Sequence, residues 1–113
     1  QDAEGWALWD AGWVAMARER GTAAQRVDQG YGLVCDAAGT LIPGLYVKQA
    51  NQEHGVIARH PDFNGEMPDF PVGTLLRILP NHACATAAQH QSYRVVPEMP
   101  DAELMTWARF GGW

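Results

Sequence analysis

Two residues of metal-ligand type, His82 and Cys84, lie two positions apart in the segment LPNHACAT, residues 79–86. In an extended backbone alternate side chains project from the same face, so both side chains would point the same way and could close on one ion. Imidazole nitrogen and thiolate sulfur are common protein ligands of zinc. The pair is therefore a candidate metal site, but taken alone such a pair is more often a packed thiol beside a hydrogen-bonded imidazole, so the metal interpretation depends on the surrounding sequence.

A second polar block, NQEHG at residues 51–55, supplies Glu53 and His54 as candidate active-site residues. An extended backbone would direct their side chains to opposite faces, so at most one of them could face a metal held by residues 80–86. The alternative is a turn whose side chains hydrogen-bond the backbone. Asn81 is expected to cap the turn that follows it or to orient a metal ligand through a hydrogen bond, with capping favoured.

The chain offers little for covalent or phosphate chemistry. Lys48 is its only lysine, in the alternating run LYVKQ at residues 45–49, and is expected on the solvated side of a strand. No glycine-rich turn opening a helix is present to hold a phosphate, so no cofactor-binding residue is predicted. Cys35, in the run GLVCD, is expected to be a small buried hydrophobe.

The elements that position these residues are predicted to be short β-strands, at residues 6–9, 31–35, 40–48, 54–59, 74–79, 93–96 and 104–110, with a hairpin turn at 36–39. Residues 14–20 and 22–25 have helix-compatible composition, residues 83–91 predict a helical turn or short helix, and residues 60–71 predict a loop. We expect a mainly β fold, an antiparallel β-barrel or sandwich with one or two short helices.

Composition indicates one globular domain. With 113 residues, 47% hydrophobic content and 19% charge, the chain can bury one modest core. A formal net charge of −5 without a Lys/Arg cluster argues against a nucleic-acid partner. No apolar run approaches the roughly 18 residues of a membrane span, and no signal peptide is recognised, so we expect neither membrane association nor secretion and place the protein in the cytoplasm.

Six blocks in chain order resemble one known family. They are WDAGW (9–13), DQGYG (28–32), NQEHG (51–55), PVG (71–73), RILPNHACAT (77–86) and GGW (111–113). Together they resemble the C-terminal domain of D-serine dehydratase-like enzymes, which are pyridoxal-phosphate proteins of the alanine racemase fold type related to D-threonine aldolases. The resemblance covers residues 10–113, and its densest part is residues 79–86.

The resemblance implies two cofactors in different places. In that family the His and Cys of the Pro-Asn-His-x-Cys segment bind zinc beside pyridoxal phosphate, which carries over to His82 and Cys84. The family holds pyridoxal phosphate on a lysine of an N-terminal (β/α) barrel, and such a barrel needs about 250 residues. Residues 1–113, beginning at Gln1 without a methionine, are therefore expected to be the C-terminal β-domain of a larger enzyme, a fragment without the barrel.

The implied function is β-elimination from a D-amino acid that carries a β-hydroxyl, with zinc as Lewis acid toward that hydroxyl. One alternative is D-threonine aldolase-like retro-aldol cleavage, ranked second because the aldolase branch of the family tends to carry Asp where this chain has Cys84. Two further alternatives are a stand-alone metal- or ligand-binding module without catalysis and an interaction domain without metal. On the enzyme interpretation this chain alone is expected to be inactive.

Five tryptophans predict association with a neighbour. Trp6, Trp9 and Trp13 lie near one end of the chain, and Trp107 and Trp113 lie near the other. A domain separated from its barrel exposes apolar surface that is normally covered. We expect this surface to contact the barrel or a second subunit, as a homodimer or a self-associated fragment.

Overall fold

The computed structural model describes residues 5–99 and 102–111, and within them the chain forms strands and one short helix. In chain order these elements are β1 (Trp6–Trp9), β2 (Gly32–Asp36), β3 (Leu41–Ala50), β4 (Gly55–Arg59), β5 (Leu76–Pro80), α1 (Ala83–Ala88), β6 (Ser92–Val95) and β7 (Met105–Ala108). Each of the seven predicted strands is present, with its ends shifted by at most a few residues.

Five strands form one antiparallel sheet in the order β1-β4-β3-β2-β5, and β6 pairs with β7 in a separate two-stranded sheet. The edge strands of the larger sheet are β1 and β5, and the sheet stays open between them. The mainly antiparallel β prediction is confirmed, and of its two architectures the open, sandwich-like one is found in place of a closed barrel.

The structure contains one of the short helical segments that the sequence allows. The predicted short helix after residue 82 is confirmed as α1. Residues 14–20 and 22–25, whose composition is compatible with helix but which are short, form turns and bends. The longest helix in the described ranges, α1 with six residues, falls well short of the length and apolarity needed to cross a membrane.

The core lies on the three central strands. Val34 of β2, Val47 of β3 and Ile57 of β4 are fully buried. Met16 packs against them from the β1–β2 connection, residues 10–31. Val47 lies opposite Ile57 in the β3–β4 pairing, and the register then shifts before Gln49. A β-bulge of this kind lets an additional residue project outward without breaking the ladder.

The predictions for Lys48 and Cys35 are both confirmed. Lys48 lies at the β-bulge and is exposed to solvent, while Cys35 in β2 is buried as a free thiol. The predicted hairpin turn is also present between β2 and β3. Its Asp36 carboxylate accepts hydrogen bonds from the backbone N–H groups of Ala38 and Thr40, both at 2.9 Å.

Candidate metal centre

His82 and Cys84 lie where the edge strand β5 turns into α1. Strand β5 ends at Pro80, His82 is the N-cap of α1 with φ −118° and ψ 79°, and Cys84 lies in the first helical turn. The expectation of an extended backbone through both residues is therefore wrong. The alanine-rich sequence that follows His82 favours helix, whereas the β5 ladder stops at Pro80.

Both candidate ligands are accessible. Cys84 is exposed with a free thiol, and the His82 side chain is 43% exposed. A thiolate and an imidazole are the donor set that zinc prefers, so the side chains present fit that metal. In residues 5–99 and 102–111 no group of three or more His, Cys, Asp and Glu side chains is placed to hold a metal ion. The prediction that this chain supplies two protein ligands stays a prediction.

Asn81, the residue before His82, is anchored to the β1–β2 connection. Its side-chain amide donates to the Gly30 carbonyl oxygen at 2.9 Å and to Thr22 Oγ1 at 3.3 Å, and its backbone N–H donates to the Tyr31 carbonyl oxygen at 3.2 Å. The helix N-cap has no side-chain hydrogen bond, so the favoured capping role of Asn81 is wrong. The amide instead joins two segments that are more than 50 residues apart in the sequence.

The partner segment is held in place by its own polar network. Thr22 Oγ1 accepts the backbone N–H of Gln29 at 2.9 Å and donates to Asp28 Oδ1 at 3.3 Å. The same Asp28 oxygen accepts the Gly30 N–H at 2.9 Å, and the other Asp28 oxygen pairs with the Arg20 guanidinium. These contacts close the connection into a loop whose polar interior faces Asn81.

Glu19 completes the surroundings of His82. Its Oε2 lies 3.8 Å from His82 Nδ1, and its side chain is 59% exposed. Gly21, two residues further on, packs so closely on Asn81 that a Cβ there would lie 3.2 Å from the Asn81 carbonyl oxygen, and its φ of +63° also favours glycine. Residues 19–22 therefore lie directly against residues 81–82.

The far end of α1 contacts the same connection. His90 Nε2 lies 2.8 Å from the Ala15 carbonyl oxygen, which requires the His90 ring to donate at that nitrogen. A cavity of about 300 Å³ lies beside this contact, lined by residues that include Trp9, Pro80 and Thr86. The β1–β2 connection thus contacts the chain just before α1, at Asn81, and just after it, at His90.

Glu53 and His54 lie in the turn between β3 and β4, and both are exposed. His54 Nε2 lies 3.0 Å from the Asn51 side-chain amide, and the Asn51 N–H donates to the His54 carbonyl oxygen at 2.8 Å. The β1–β2 connection also contacts this turn, because the backbone N–H of Trp13 donates to the Asn51 carbonyl oxygen at 2.8 Å. Their proposed active-site role stays a prediction.

Sequence reasoning did not identify Glu19 and Thr22. Both lie in short segments of helix-compatible composition, and neither belongs to a recognised motif. The hydrogen bond between Thr22 and Asn81 joins residues 59 positions apart, so no local spacing predicts it. The close approach of Gly21 offers no sequence signal either, because a single glycine between polar residues is typical of any turn.

A second polar cluster contains Tyr46 of β3 and His60, which follows β4. The Tyr46 ring meets the His60 ring edge-on, with ring centroids 5.5 Å apart, beside a cavity of about 320 Å³. Burial raises the pKa of Tyr46, the nearby Asp28 carboxylate raises the same pKa further, and Arg20 lowers it in part. The phenol therefore stays protonated to higher pH than an exposed tyrosine.

The fold and the His-x-Cys junction agree with the match to known families. A family model described as "Putative serine dehydratase domain" matches residues 1–96. The chain belongs to this family, which confirms the resemblance found in the sequence. Among curated proteins, D-threo-3-hydroxyaspartate dehydratase of Delftia sp. is 52% identical over 113 residues, covering 97% of this chain and 29% of the relative.

Two further relatives extend the comparison. D-serine dehydratase of Schizosaccharomyces pombe is 31% identical over 109 residues, covering 94% of this chain and 23% of the relative. The solved structure of the Delftia enzyme superposes with a TM-score of 0.84 at 50% identity, over 100% of this chain and 30% of that one. This chain thus spans less than a third of the length of each of these relatives.

Two further solved structures are alanine variants of a D-threo-3-hydroxyaspartate dehydratase. One replaces a cysteine and is in a metal-free form, with a TM-score of 0.84 over 100% of this chain. The other replaces a histidine two positions before that cysteine, with a TM-score of 0.85. The two replaced residues have the spacing of a His-x-Cys pair.

Proposed function

We propose that this chain is the zinc-carrying domain of a pyridoxal-phosphate-dependent lyase that eliminates the β-hydroxyl of a D-amino acid. Family membership and two dehydratase relatives support the reaction class. The metal, the cofactor and the substrate are the proposed parts. We place the enzyme in the cytoplasm, with the rest of the polypeptide and a second subunit as its protein partners.

The observation that carries the proposal is the His82–Cys84 pair. The chain contains a single His-x-Cys sequence, and it lies at an accessible strand-to-helix junction. The spacing equals that of the histidine and cysteine replaced in the two D-threo-3-hydroxyaspartate dehydratase variants, one of which is in a metal-free form. At 50% identity over the whole chain, a correspondence between the two pairs is the simplest explanation.

The roles of the chain's own residues follow from their chemistry. His82 would bind the metal through a ring nitrogen and Cys84 through its thiolate, and two protein ligands leave coordination positions for a substrate oxygen. Asn81 holds the junction against the β1–β2 connection and so limits the movement of both ligands. When bound, zinc supplies Lewis acidity toward the β-hydroxyl, and pyridoxal phosphate elsewhere in the polypeptide supplies electron withdrawal from Cα.

The substrate we favour is a D-3-hydroxyaspartate. The relative named for that substrate is 52% identical, whereas the D-serine dehydratase is 31% identical, so D-serine is the second candidate. Retro-aldol cleavage ranks below dehydration, because both curated relatives are named as dehydratases and position 84 is Cys. A product assay on the longest polypeptide containing this chain separates the reactions: dehydration gives oxaloacetate and ammonia, whereas aldol cleavage gives glycine and glyoxylate.

The pyridoxal phosphate site is proposed to lie outside these residues. Lys48, the single lysine of the chain, is exposed to solvent at the β-bulge of β3. This chain can be incubated with pyridoxal phosphate, reduced with borohydride and analysed by peptide mapping. Lys48 should then be modified no more than an exposed lysine in a reference peptide. A stoichiometric adduct at Lys48 with turnover of D-serine would contradict the proposal.

Zinc binding tests the proposed metal site directly. The never-chelated chain should hold roughly one zinc ion, and His82→Ala or Cys84→Ala should abolish the binding. Cys35→Ala is the matched control, since it removes the other thiol of the chain from a buried position. Retention of zinc by both His82→Ala and Cys84→Ala would overturn the metal site. Zinc binding without any lyase activity in the longer polypeptide would favour the stand-alone module.

A further inference from the structure

His82 has two ring nitrogens, and the structure distinguishes between them. Nδ1 faces the Glu19 carboxylate at 3.8 Å, while Nε2 lies at the opposite side of the ring. In a neutral imidazole one nitrogen carries the proton and the other has the lone pair that binds a metal. A carboxylate beside Nδ1 favours the tautomer with the proton on Nδ1, which leaves the lone pair on Nε2.

We propose that Glu19 is a positioning residue for the metal site, accepting the Nδ1–H of His82 and thereby presenting Nε2 to the metal. This inference rests on the proposed zinc site. A carboxylate that accepts the second ring N–H of a metal-bound histidine fixes the ring orientation and raises its basicity as a ligand. Glu19 acts on the metal-binding side chain of His82 and is assigned no direct bond to the metal.

The contacts around Glu19 hold it in this place. Gly21 packs on Asn81, and Thr22 accepts a hydrogen bond from the Asn81 amide, so the residues that follow Glu19 are fixed to the residue that precedes His82. The Arg20 guanidinium is paired with Asp28. The neighbouring Arg20 is therefore already paired with a carboxylate, and the Glu19 carboxylate lies next to the His82 imidazole.

The separation of 3.8 Å exceeds hydrogen-bond length, but both side chains are about half exposed. A glutamate side chain with that much exposure can close the remaining distance by rotation about its own side-chain bonds. Binding of a metal at Nε2 makes the Nδ1–H more acidic and so strengthens its hydrogen bond to the carboxylate. The contact is expected to shorten when the metal binds.

Zinc affinity in a series of Glu19 variants tests the inference on the 113-residue chain. Glu19→Ala should weaken zinc binding by about 10- to 100-fold, the usual effect of removing such a partner. Glu19→Gln keeps an oxygen that can accept the Nδ1–H and should lose less affinity than Glu19→Ala. Glu66→Gln, an exposed carboxylate in the loop between β4 and β5, is the control for the change in net charge and should bind zinc as the unmodified chain does.

Two spectroscopic measurements separate positioning from direct ligation. In the zinc-loaded chain, long-range ¹H–¹⁵N spectra of His82 should show a protonated Nδ1, and Glu19→Ala should broaden or shift that resonance. The ligand-field spectrum of the cobalt-substituted chain should keep its position in Glu19→Ala. A spectrum that changes as it would on loss of an oxygen ligand would overturn the positioning role, because Glu19 would then bind the metal itself.

A double-mutant cycle tests the anchoring of Glu19. Thr22→Val removes one of the two acceptors of the Asn81 amide and should weaken zinc binding in the unmodified background but have little effect in the Glu19→Ala background. Should Thr22→Val fail to fold, the exposed Glu19 variants still decide the matter. Equal zinc affinity in all Glu19 variants, with binding still dependent on His82 and Cys84, would reject this inference alone. Loss of that dependence would reject the proposed site.

Discussion

The central sheet and the β6–β7 hairpin bury apolar side chains to very different extents. Val34, Leu45 and Val47 in the sheet are 0–1% exposed, whereas every residue of β7 is exposed and Trp107 is 58% exposed. The hairpin is tied to the rest through its base, where Arg109 donates from its backbone and from Nε to the carbonyl oxygens of Gln91 and His90.

The contrast shows which part of the domain supplies its own stability. A two-stranded hairpin is at best marginally stable in water without a surface to pack against. The sheet has its own core, but the hairpin presents Tyr93, Met105 and Trp107 to solvent. The relatives are more than three times as long as this chain, so the hairpin is the surface we expect the rest of such a polypeptide, or a second subunit, to cover.

The largest expected effect comes from a matched pair of leucines. Leu45→Ala leaves a cavity in the sheet and should lower the free energy of unfolding by about 2–5 kcal/mol. Leu104→Ala, at a position 59% exposed beside β7, should change it by less than about 0.5 kcal/mol. Urea denaturation of both variants measures the difference. Equal losses would show that the hairpin is packed in solution as tightly as the sheet.

The second prediction concerns association. The chain should self-associate at high concentration, and Trp107→Ser should shift sedimentation equilibrium toward the monomer because it removes exposed aromatic surface. Of the other tryptophans, Trp6, Trp9 and Trp13 are partly buried within the chain, and Trp113 lies outside the described residues. Trp13 also contacts the Arg18 guanidinium, 4.8 Å from the ring centroid.

Trp6→Ser serves as the comparison for that measurement. It alters a partly buried residue of β1, so it should affect stability more than association. A strictly monomeric chain at high concentration would contradict the prediction. Such a result would favour a self-sufficient binding module over the domain of a larger enzyme.

The smallest expected effect is on stability at alkaline pH, and it concerns Tyr46 of β3. The Tyr46 pKa is raised by burial and by Asp28, so the folded state retains its proton above the usual value of 10.0. The associated stability is complete below pH 10 and is lost as the pH rises through the higher folded-state value. Tyr46→Phe should therefore lose less stability than the unmodified chain as the pH rises above about 10. Identical alkaline losses in thermal denaturation would contradict the assigned shift.

The strands were predictable because their signals are local. Alternating β-branched and aromatic residues bounded by Gly, Pro, Asn and Asp predict strands wherever one face is buried, and Asp36 with Gly39 predicts the hairpin turn. The segments at residues 14–20 and 22–25 have helix-compatible composition but form turns and bends. Their alanines and arginines favour helix in isolation, but Gly21 and the polar contacts of Thr22 and Asp28 impose turns.

The metal-ligand chemistry could be read directly from the residue types of His82 and Cys84, since imidazole and thiolate bind zinc in any fold that exposes them. The family could likewise be read from motifs that follow one another along the chain. The residues that surround this pair could be identified only from the folded structure. Glu19, Thr22 and Gly30 meet residues 81–82 across more than 50 positions of sequence, because the β1–β2 connection folds back over the end of β5. Long-range contacts of this kind depend on strand order and loop closure, and no periodicity in the sequence encodes them.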